Sequence, residues 1–208
     1  ILYGTKTLFV RLAGCPFTCF YCDTKESLPL DSGTEYTIEA ANELIDSNLQ
    51  NQTYKVNFTG GDPLIQHRAV AELAKHIQNK KIPTYLESSC FDIDRFNHVL
   101  PFIDIVKIEF KTKDSDFADT KHYEKLIGHT MKCLESSVKS KKITYIKIVV
   151  SSKTQLGEFK ELVDQIFNII SKDNIDGFVI QPTYGISEPS LDLLLNLYDI
   201  VFPHYIDV

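Results

Sequence analysis

The sequence has 208 residues, of which 43% are hydrophobic and 24% are charged. These proportions are typical of a globular protein, and the length fits one domain with a substantial core. The net charge of -6 argues against a nucleic-acid backbone as the main partner, and no apolar run approaches the roughly 20 residues that span a bilayer. We therefore expect one domain over residues 1–208 that binds neither nucleic acid nor membrane.

The cysteines and the first residues of the sequence bear on the cellular compartment, and the two ends bear on the length of the natural protein. Of five cysteines, three lie close together at residues 15 to 22, whereas the disulfide framework of a short secreted chain favours even numbers. The first residues lack the basic region and apolar core of a signal peptide. These features predict a reducing, cytoplasmic location. The chain begins at Ile1 and ends in a strand-like run at 205–208, so we expect the natural protein to extend beyond both ends.

Taken in chain order, short β-branched and aromatic runs alternate with segments of helical periodicity. The predicted strands are residues 7–12, 54–58, 84–87, 103–108, 143–150 and 177–181. The predicted helices lie around residues 38–45, capped by Thr37, and around 69–77, 92–99, 118–138, 156–170 and 188–199. This sixfold alternation predicts an α/β fold, with a parallel sheet wrapped as a partial (β/α)6 barrel.

Polar or sulfur-containing residues follow every predicted strand. In barrels of this type the functional side chains collect at the carboxyl ends of the strands, so we expect these residues to share one rim. The runs are the cysteine segment 15–24, Thr59–Asp62, Glu87–Cys90, Glu109–Lys111, Ser151–Lys153 and Gln181–Tyr184.

The cysteine triplet Cys15, Cys19 and Cys22 lies directly after the first predicted strand. Three thiolates on one loop hold three irons of a cubane cluster and leave the fourth iron open, where S-adenosylmethionine (SAM) would chelate. A structural zinc site is the alternative, but it needs four closed ligands, usually as two separated pairs. The remaining cysteines, Cys90 and Cys133, lie far apart and read as ordinary buried thiols, so the triplet favours an iron–sulfur cluster.

Three neighbouring features have two readings each. The Gly60-Gly61 pair is either a plain strand-to-helix turn or a place where the backbone approaches a ligand such as SAM. Arg11 is either a surface arginine or the partner of a substrate anion. Asp23 and Thr24 form either a turn or a set of oxygen ligands for magnesium.

The motifs together resemble a known family. Cys15-x-x-x-Cys19-x-x-Cys22, with Tyr21 before the last cysteine, resembles the signature of the radical SAM superfamily. The flanking runs 9–14 and 23–25 resemble the 7-carboxy-7-deazaguanine synthase family. The resemblance implies a lyase that converts 6-carboxy-5,6,7,8-tetrahydropterin to 7-carboxy-7-deazaguanine with loss of ammonia, on the route to queuosine and archaeosine.

The resemblance also implies a role for individual residues. Cys15, Cys19 and Cys22 would bind a [4Fe-4S] cluster, Thr24 would ligate magnesium, and the pterin would contact Arg11 and Thr59. An electron donor such as flavodoxin or ferredoxin and a homodimer are further expectations. The positions that would line SAM are Tyr21, Cys22, Asp23, Gly61, Ser88, Glu109, Phe110, Lys111, Gln181, Pro182, Thr183 and Tyr184.

The sequence departs from the superfamily pattern at three places. Asp62 ends a Gly-Gly-Asp run where the superfamily has Gly-Gly-Glu. Glu87-Ser88-Ser89-Cys90 replaces Glu-Thr-Asn-Gly, and Glu109-Phe110-Lys111 replaces Ser-Pro-Lys.

Two other functions remain open from the sequence. A radical SAM activase of a glycyl-radical enzyme shares Gly-Cys-x-x-x-Cys-x-Tyr-Cys, but it gives no reason for Arg11 or for Asp23-Thr24. A non-enzymatic zinc or redox-binding module is the alternative from a different class.

Overall fold

A computed structural model describes residues 2–115 and 120–205, and its centre is one six-stranded sheet. The strands are β1 (Thr7–Leu12), β2 (Lys55–Gly60), β3 (Thr84–Ser88), β4 (Ile105–Phe110), β5 (Ile143–Val150) and β6 (Gly177–Pro182). All neighbours are parallel and follow chain order from β1 to β6. The predicted α/β fold with a parallel sheet is therefore confirmed. Within the described residues β1 and β6 are the two edges, so the barrel is partial.

In the described ranges, six α-helices connect or follow the strands. They are α1 (Ile38–Asn48), α2 (His67–Asn79), α3 (Ile93–Val99), α4 (Thr120–Lys139), α5 (Leu156–Ile169) and α6 (Leu191–Val201). The predicted cap at Thr37 is confirmed, because its hydroxyl accepts a hydrogen bond from the Ala40 N–H at 3.2 Å. The last helix begins at Leu191 rather than at 188, because Ser190 caps it by accepting from the Leu193 N–H.

The core lies between the sheet and the helices. Alternate residues of the central strands face the helices and are almost completely buried, as the period of two requires. Cys90 and Cys133 are also fully buried, as predicted, and the Cys133 thiol donates to the Cys90 carbonyl. The core-facing residues of the strands include Val56, Phe58, Leu86, Val106, Ile108, Phe110, Ile146, Ile148, Val150 and Phe178.

The prediction for the fourth strand, residues 103–108, was wrong by two residues. The strand spans Ile105–Phe110, because Ile103 closes a 3-10 turn and Asp104 is engaged with the preceding strand. The Asp104 carboxylate accepts from both the N–H and the hydroxyl of Thr84, at 2.9 and 3.0 Å. Glu109 and Phe110 therefore lie inside β4 rather than after it.

Two predicted segments fall partly outside the described residues. These are the start of the helix at 118–138 and the strand-like end at 205–208. Within the part that is described, no helix has both the length and the apolar character needed to cross a membrane.

Candidate active site

The loop that carries the three predicted ligand cysteines is closed at its base by backbone hydrogen bonds. The Gly14 N–H donates to the Ser27 carbonyl at 2.9 Å, and the Cys15 N–H donates to the Leu28 carbonyl at 3.0 Å. Inside the loop, the Cys22 N–H donates to the Cys19 carbonyl at 3.0 Å and forms a turn. We call residues 15–24 the cysteine loop.

The glycine pair at the end of β2 packs directly against the base of this loop. The Gly61 N–H donates to the Leu12 carbonyl at 3.0 Å. A Cβ atom on Gly60, whose φ is +151°, would lie 2.0 Å from the Leu12 carbonyl oxygen, and one on Gly61 would lie 2.4 Å from that of Gly14. Both positions therefore require glycine, because the backbone of residues 12 and 14 passes too close for a Cβ atom.

Asp62 joins the glycine pair to the end of β3. Its carboxylate is 3% exposed and accepts hydrogen bonds from the Leu64 N–H at 3.0 Å, the Ser88 hydroxyl at 2.9 Å, and both the N–H and the hydroxyl of Ser89. Burial raises the pKa of Asp62, although these hydrogen bonds act in the opposite direction. The Ser88 hydroxyl, predicted to line the SAM site, is therefore engaged in a structural contact.

The three thiols of the cysteine loop are free, with Cys19 buried and Cys15 and Cys22 half-buried. Burial raises the pKa of Cys15 to about 12, and the charges of Asp62 and Cys19 add to this effect. Burial also raises the pKa of Cys19, against the opposing charge of Lys111. Both thiols are thus protonated at neutral pH in the metal-free protein, so a bound metal has to displace their protons.

The arrangement of these thiols distinguishes two kinds of metal centre. In the described part of the chain, no group of three or more His, Cys, Asp or Glu residues surrounds a single ion position. A structural zinc site takes four closed ligands, whereas the cysteine loop offers three thiols. In a cubane cluster each thiolate binds a different iron, which suits three thiols spread along one loop. The residues present therefore fit an iron–sulfur cluster.

Aromatic side chains hold the cysteine loop against the ends of the other strands. The Phe17 ring meets the edge of Phe91, just after β3, with centroids 6.2 Å apart. The ammonium of Lys153, just after β5, lies 5.0 Å from the centre of the Phe20 ring. The cysteine loop therefore touches the residues that follow β3 and β5, as the predicted shared rim requires.

Tyr21 makes the corresponding contact with the end of β4. Its hydroxyl donates to the Ser115 hydroxyl at 3.0 Å, and the Lys111 ammonium lies 5.4 Å from the centre of its ring. Burial raises the pKa of Tyr21, so the phenol stays neutral. Tyr21 and Lys111, two of the predicted SAM-lining residues, thus lie together beside Cys19.

Glu109 is the centre of a buried charge network that sequence reasoning missed. Its carboxylate contacts the ammonium groups of Lys111, Lys107 at 3.1 Å and Lys147 at 2.9 Å. Burial acts to raise the pKa of Glu109, but the three lysines outweigh it and hold the pKa well below its usual value. The signal was present in the sequence, since Lys107, Glu109 and Lys111 alternate with apolar residues at the period of a strand.

The two predicted pterin contacts are neighbours on the open side of the barrel. Arg11 on β1 and Thr59 on β2 are register partners and face the side of the sheet opposite the core. Arg11 is exposed, and its guanidinium donates to the Gly60 carbonyl at 3.4 Å. The predicted magnesium ligand Thr24 donates its hydroxyl to the Asp23 carboxylate at 2.7 Å near the surface.

The remaining predicted SAM-lining residues differ in how far their side chains are exposed. Phe110 is fully buried in the core, so only its main chain is left to line a ligand. Gln181 and Pro182 are exposed at the end of β6, and Tyr184 is 94% exposed. Thr183 is buried, and its hydroxyl donates to the Ser187 carbonyl at 3.0 Å.

Comparison with known proteins identifies the family of this chain. Residues 3–131 match the family described as "4Fe-4S single cluster domain". The 7-carboxy-7-deazaguanine synthase of Archaeoglobus fulgidus is 30% identical over 189 residues, which cover 88% of this chain and 77% of that protein. The enzyme of the same name from Methanocaldococcus jannaschii is 28% identical over 179 residues, which cover 80% of this chain and 72% of that protein.

A solved structure supports the fold. The radical S-adenosylmethionine methyltransferase TsrM from Kitasatospora setae, with cobalamin and a [4Fe-4S] cluster bound, superimposes with a TM-score of 0.58 at 11% identity, covering 85% of this chain and 36% of that one. The fold is thus that of radical SAM enzymes. Taken with the cysteine loop and the two synthases, this shows that the chain belongs to the 7-carboxy-7-deazaguanine synthase family of radical SAM lyases.

Proposed function

We propose that this protein converts 6-carboxy-5,6,7,8-tetrahydropterin to 7-carboxy-7-deazaguanine with loss of ammonia, as a step towards queuosine or archaeosine. The observation that carries the proposal is the cysteine loop, whose three free thiols lie at the carboxyl ends of the strands of a partial barrel. Membership of the synthase family names the reaction.

The cofactors follow from the family and from the thiols. With a [4Fe-4S] cluster held by Cys15, Cys19 and Cys22, reductive cleavage of SAM would supply a 5′-deoxyadenosyl radical for hydrogen abstraction from C6 of the pterin. The protein's part is to exclude water from this chemistry. The buried Cys19 and the aromatic rings of Phe17, Phe20 and Tyr21 serve that purpose.

SAM would lie between the cysteine loop and the other strand ends. Tyr21, Cys22 and Asp23 would line it from the loop, and Gly61 from the end of β2. The buried side chains of Ser88, Phe110 and Thr183 leave mainly main-chain contacts at those positions. The remaining contacts would come from Glu109, Lys111, Gln181, Pro182 and Tyr184.

The pterin would meet Arg11 and Thr59 at the β1 edge. A guanidinium is suited to a planar carboxylate, and among the described residues the exposed Arg11 has one long hydrogen bond, to a carbonyl. The substrate carboxylate would replace that weak contact. The Thr59 hydroxyl, beside Arg11 on the next strand, would add a second polar contact.

Magnesium would bind at Thr24 beside the substrate. A hydroxyl oxygen and the neighbouring Asp23 carboxylate are hard oxygen donors of the kind that magnesium prefers. This ion would complete its coordination with water and with substrate oxygens, because magnesium sites in enzymes commonly use few protein ligands.

The electron would come from a flavodoxin or ferredoxin, and the active unit would be a homodimer in the cytoplasm. A thiolate-bound cluster needs three free cysteines, which a reducing compartment maintains. The large exposed apolar side chains of Leu30, Tyr36 and Leu44 are suited to burial by a second copy. Light scattering of the purified protein would test the dimer directly.

The decisive experiment is anaerobic turnover of the reconstituted protein with SAM and the carboxypterin, with and without magnesium. We expect 7-carboxy-7-deazaguanine, 5′-deoxyadenosine and ammonia, with a higher rate when magnesium is present. SAM cleavage that is indifferent to both the carboxypterin and magnesium would instead support an activase of a glycyl-radical enzyme. A colourless preparation with one tightly bound zinc ion would exclude both enzymes.

A further inference from the structure

We propose that the Lys111 ammonium, held over the cysteine loop by Glu109, raises the reduction potential of the cluster that Cys19 helps to bind. The inference rests on the cluster of the proposed function but not on the identity of the substrate. It assigns Lys111 a positioning and electrostatic role, with Glu109, Lys107 and Lys147 setting its strength.

The position of Lys111 is defined by two contacts. Its side chain is 9% exposed and contacts one carboxylate oxygen of Glu109. On its other side lies the Tyr21 ring, with 5.4 Å between the ammonium and the ring centre. Tyr21 stands between Cys19 and Cys22 in the cysteine loop, and Lys111 also acts on the Cys19 side chain through its charge and a hydrogen bond.

The network around Lys111 carries an excess of positive charge. One carboxylate, Glu109, is shared by the three ammonium groups of Lys107, Lys111 and Lys147, which leaves two net positive charges. Glu87 is the register partner of Lys107 and offsets part of this excess. Next to the cysteine loop, the positive charge of Lys111 acts on Cys19 more strongly than the opposing charge of its partner Glu109.

A buried charge acts strongly on a neighbouring redox centre. One-electron reduction takes a [4Fe-4S] cluster from its 2+ to its 1+ state, and the added electron comes from dithionite or from a flavodoxin or ferredoxin. A nearby cation stabilises the product of this step more than the reactant, and weak solvent screening enlarges the difference. Charge and hydrogen bonding at the sulfurs are established determinants of cluster potential. The arrangement thus makes reduction of the cluster accessible to a weaker electron donor.

The test is an anaerobic redox titration of the reconstituted full chain, followed by electron paramagnetic resonance of the reduced cluster. Lys111→Met keeps the length of the side chain and removes its charge, so the midpoint potential should become more negative. Lys111→Arg keeps the charge and should retain the wild-type potential. Lys113→Met is the matched control, because Lys113 is exposed and pairs with Glu158, and it should change nothing.

A second variant tests the sign of the effect. Glu109→Gln removes the negative charge of the network, so the potential should become more positive, opposite to Lys111→Met. A purely structural role would not produce shifts of opposite sign. If either variant fails to hold a cluster, Lys147→Met replaces it, and a shift to more negative potential is again expected.

An unchanged potential in Lys111→Met, or shifts of the same sign in Lys111→Met and Glu109→Gln, would overturn the proposal. If Lys147→Met has to be used, an unchanged midpoint potential in that variant would also overturn the proposal. The outcome is separable from the proposed function. A wild-type protein that shows these shifts but does not convert the carboxypterin would retain the role of Lys111 and lose the assigned reaction.

Discussion

Ser89 donates both its backbone N–H and its hydroxyl to one oxygen of Asp62, at 2.9 and 2.6 Å. This double contact ties the end of β3 to the end of β2 beneath the cysteine loop. It also connects two departures from the superfamily pattern, because the shorter Asp62 in place of glutamate is matched by serines at 88 and 89. The two substitutions are therefore complementary parts of one buried contact.

The first prediction concerns the length of this carboxylate. Asp62→Glu forces an extra methylene into a fully buried site and should cost about 1–3 kcal/mol of unfolding free energy. Asp62→Ala leaves buried hydroxyl and N–H donors unpaired, at about 1–3 kcal/mol for each group that finds no water. Urea denaturation of the metal-free protein measures both. Asp199→Ala, on the exposed face of α6, should stay within about 0.5 kcal/mol of wild type. If Asp199→Ala lost as much stability as Asp62→Ala, the buried contact of Asp62 would have no special role in stability.

The second prediction concerns the glycine pair. Gly61→Ala places a Cβ atom 2.4 Å from the Gly14 carbonyl oxygen and 2.8 Å from that of Ser27, so the base of the cysteine loop has to move. We expect cluster loading, measured as iron and sulfide per chain, to fall severalfold. Gly128→Ala is the control, because nothing lies within 4 Å of its added Cβ atom in α4. That change should stabilise the helix by about 0.5–1 kcal/mol and leave loading unchanged.

The third prediction distinguishes the cluster from a structural metal. Cys19→Ala should abolish the brown cluster absorbance and leave the far-ultraviolet circular dichroism of the folded protein, because the base of the loop is closed by backbone hydrogen bonds. Cys133→Ala removes a fully buried thiol of the core and should retain the cluster, with a stability cost of about 1 kcal/mol. An unfolded Cys19→Ala protein would point to a structural metal instead.

The fourth prediction is a pH dependence that follows from Glu109. Its pKa in the folded protein lies well below the ordinary value near 4.5, so the stability from its ionised form is complete above about pH 4.5. That stability is lost as the pH falls through the folded-state pKa. Glu109→Gln should therefore be about 3–5 kcal/mol less stable than wild type at pH 6–8, with a difference that shrinks below pH 4.5.

The matched control for this pH series is Glu158→Gln. Glu158 pairs with Lys113 at 3.2 Å, but both side chains are 41% exposed, so the loss should be about 0–1 kcal/mol. Denaturation midpoints measured from pH 3 to 8 would compare the two variants. A Glu109→Gln difference that stays constant across the whole range would show that ionisation of Glu109 does not stabilise the fold.

The fifth prediction concerns magnesium. Thr24→Val preserves the shape of the side chain and removes the hydroxyl oxygen, so magnesium should no longer stimulate turnover. The iron and sulfide content per chain should stay at the wild-type level. Thr18→Val, on the exposed part of the same loop, should keep the stimulation. Equal stimulation of the Thr24→Val protein would remove Thr24 from the proposed magnesium site.

Much of the fold could be predicted from the sequence, because its strands are short β-branched runs separated by helical periodicity. The bounds of β1 and β5 agree with the prediction, and so does the cap at Thr37. The bounds of β4 do not, because its first residues are apolar like a strand but are used in a turn. What fixes them is the hydrogen bonding between Asp104 and Thr84, residues that are distant in the sequence.

The site was predictable where its chemistry is local and not where it depends on long-range contacts. The cysteine loop is contained in one short run of residues, so its three thiols and their spacing could be recognised from the sequence. The contact of Asp62 with Ser88 and Ser89 joins residues from two different strand ends, so no local pattern reports it. The lysines around Glu109 converge in the same way, since Lys147 comes from the neighbouring strand.

The closed base of the cysteine loop has a consequence for the order of maturation. Its two backbone hydrogen bonds, from Gly14 to Ser27 and from Cys15 to Leu28, involve no metal ligand atom. Folding can therefore be complete before iron and sulfide arrive. A carrier protein that delivers a preassembled cluster would then meet a cysteine loop that is already folded. The transfer would exchange the carrier's ligands for the three thiols, and the thiol protons would be released.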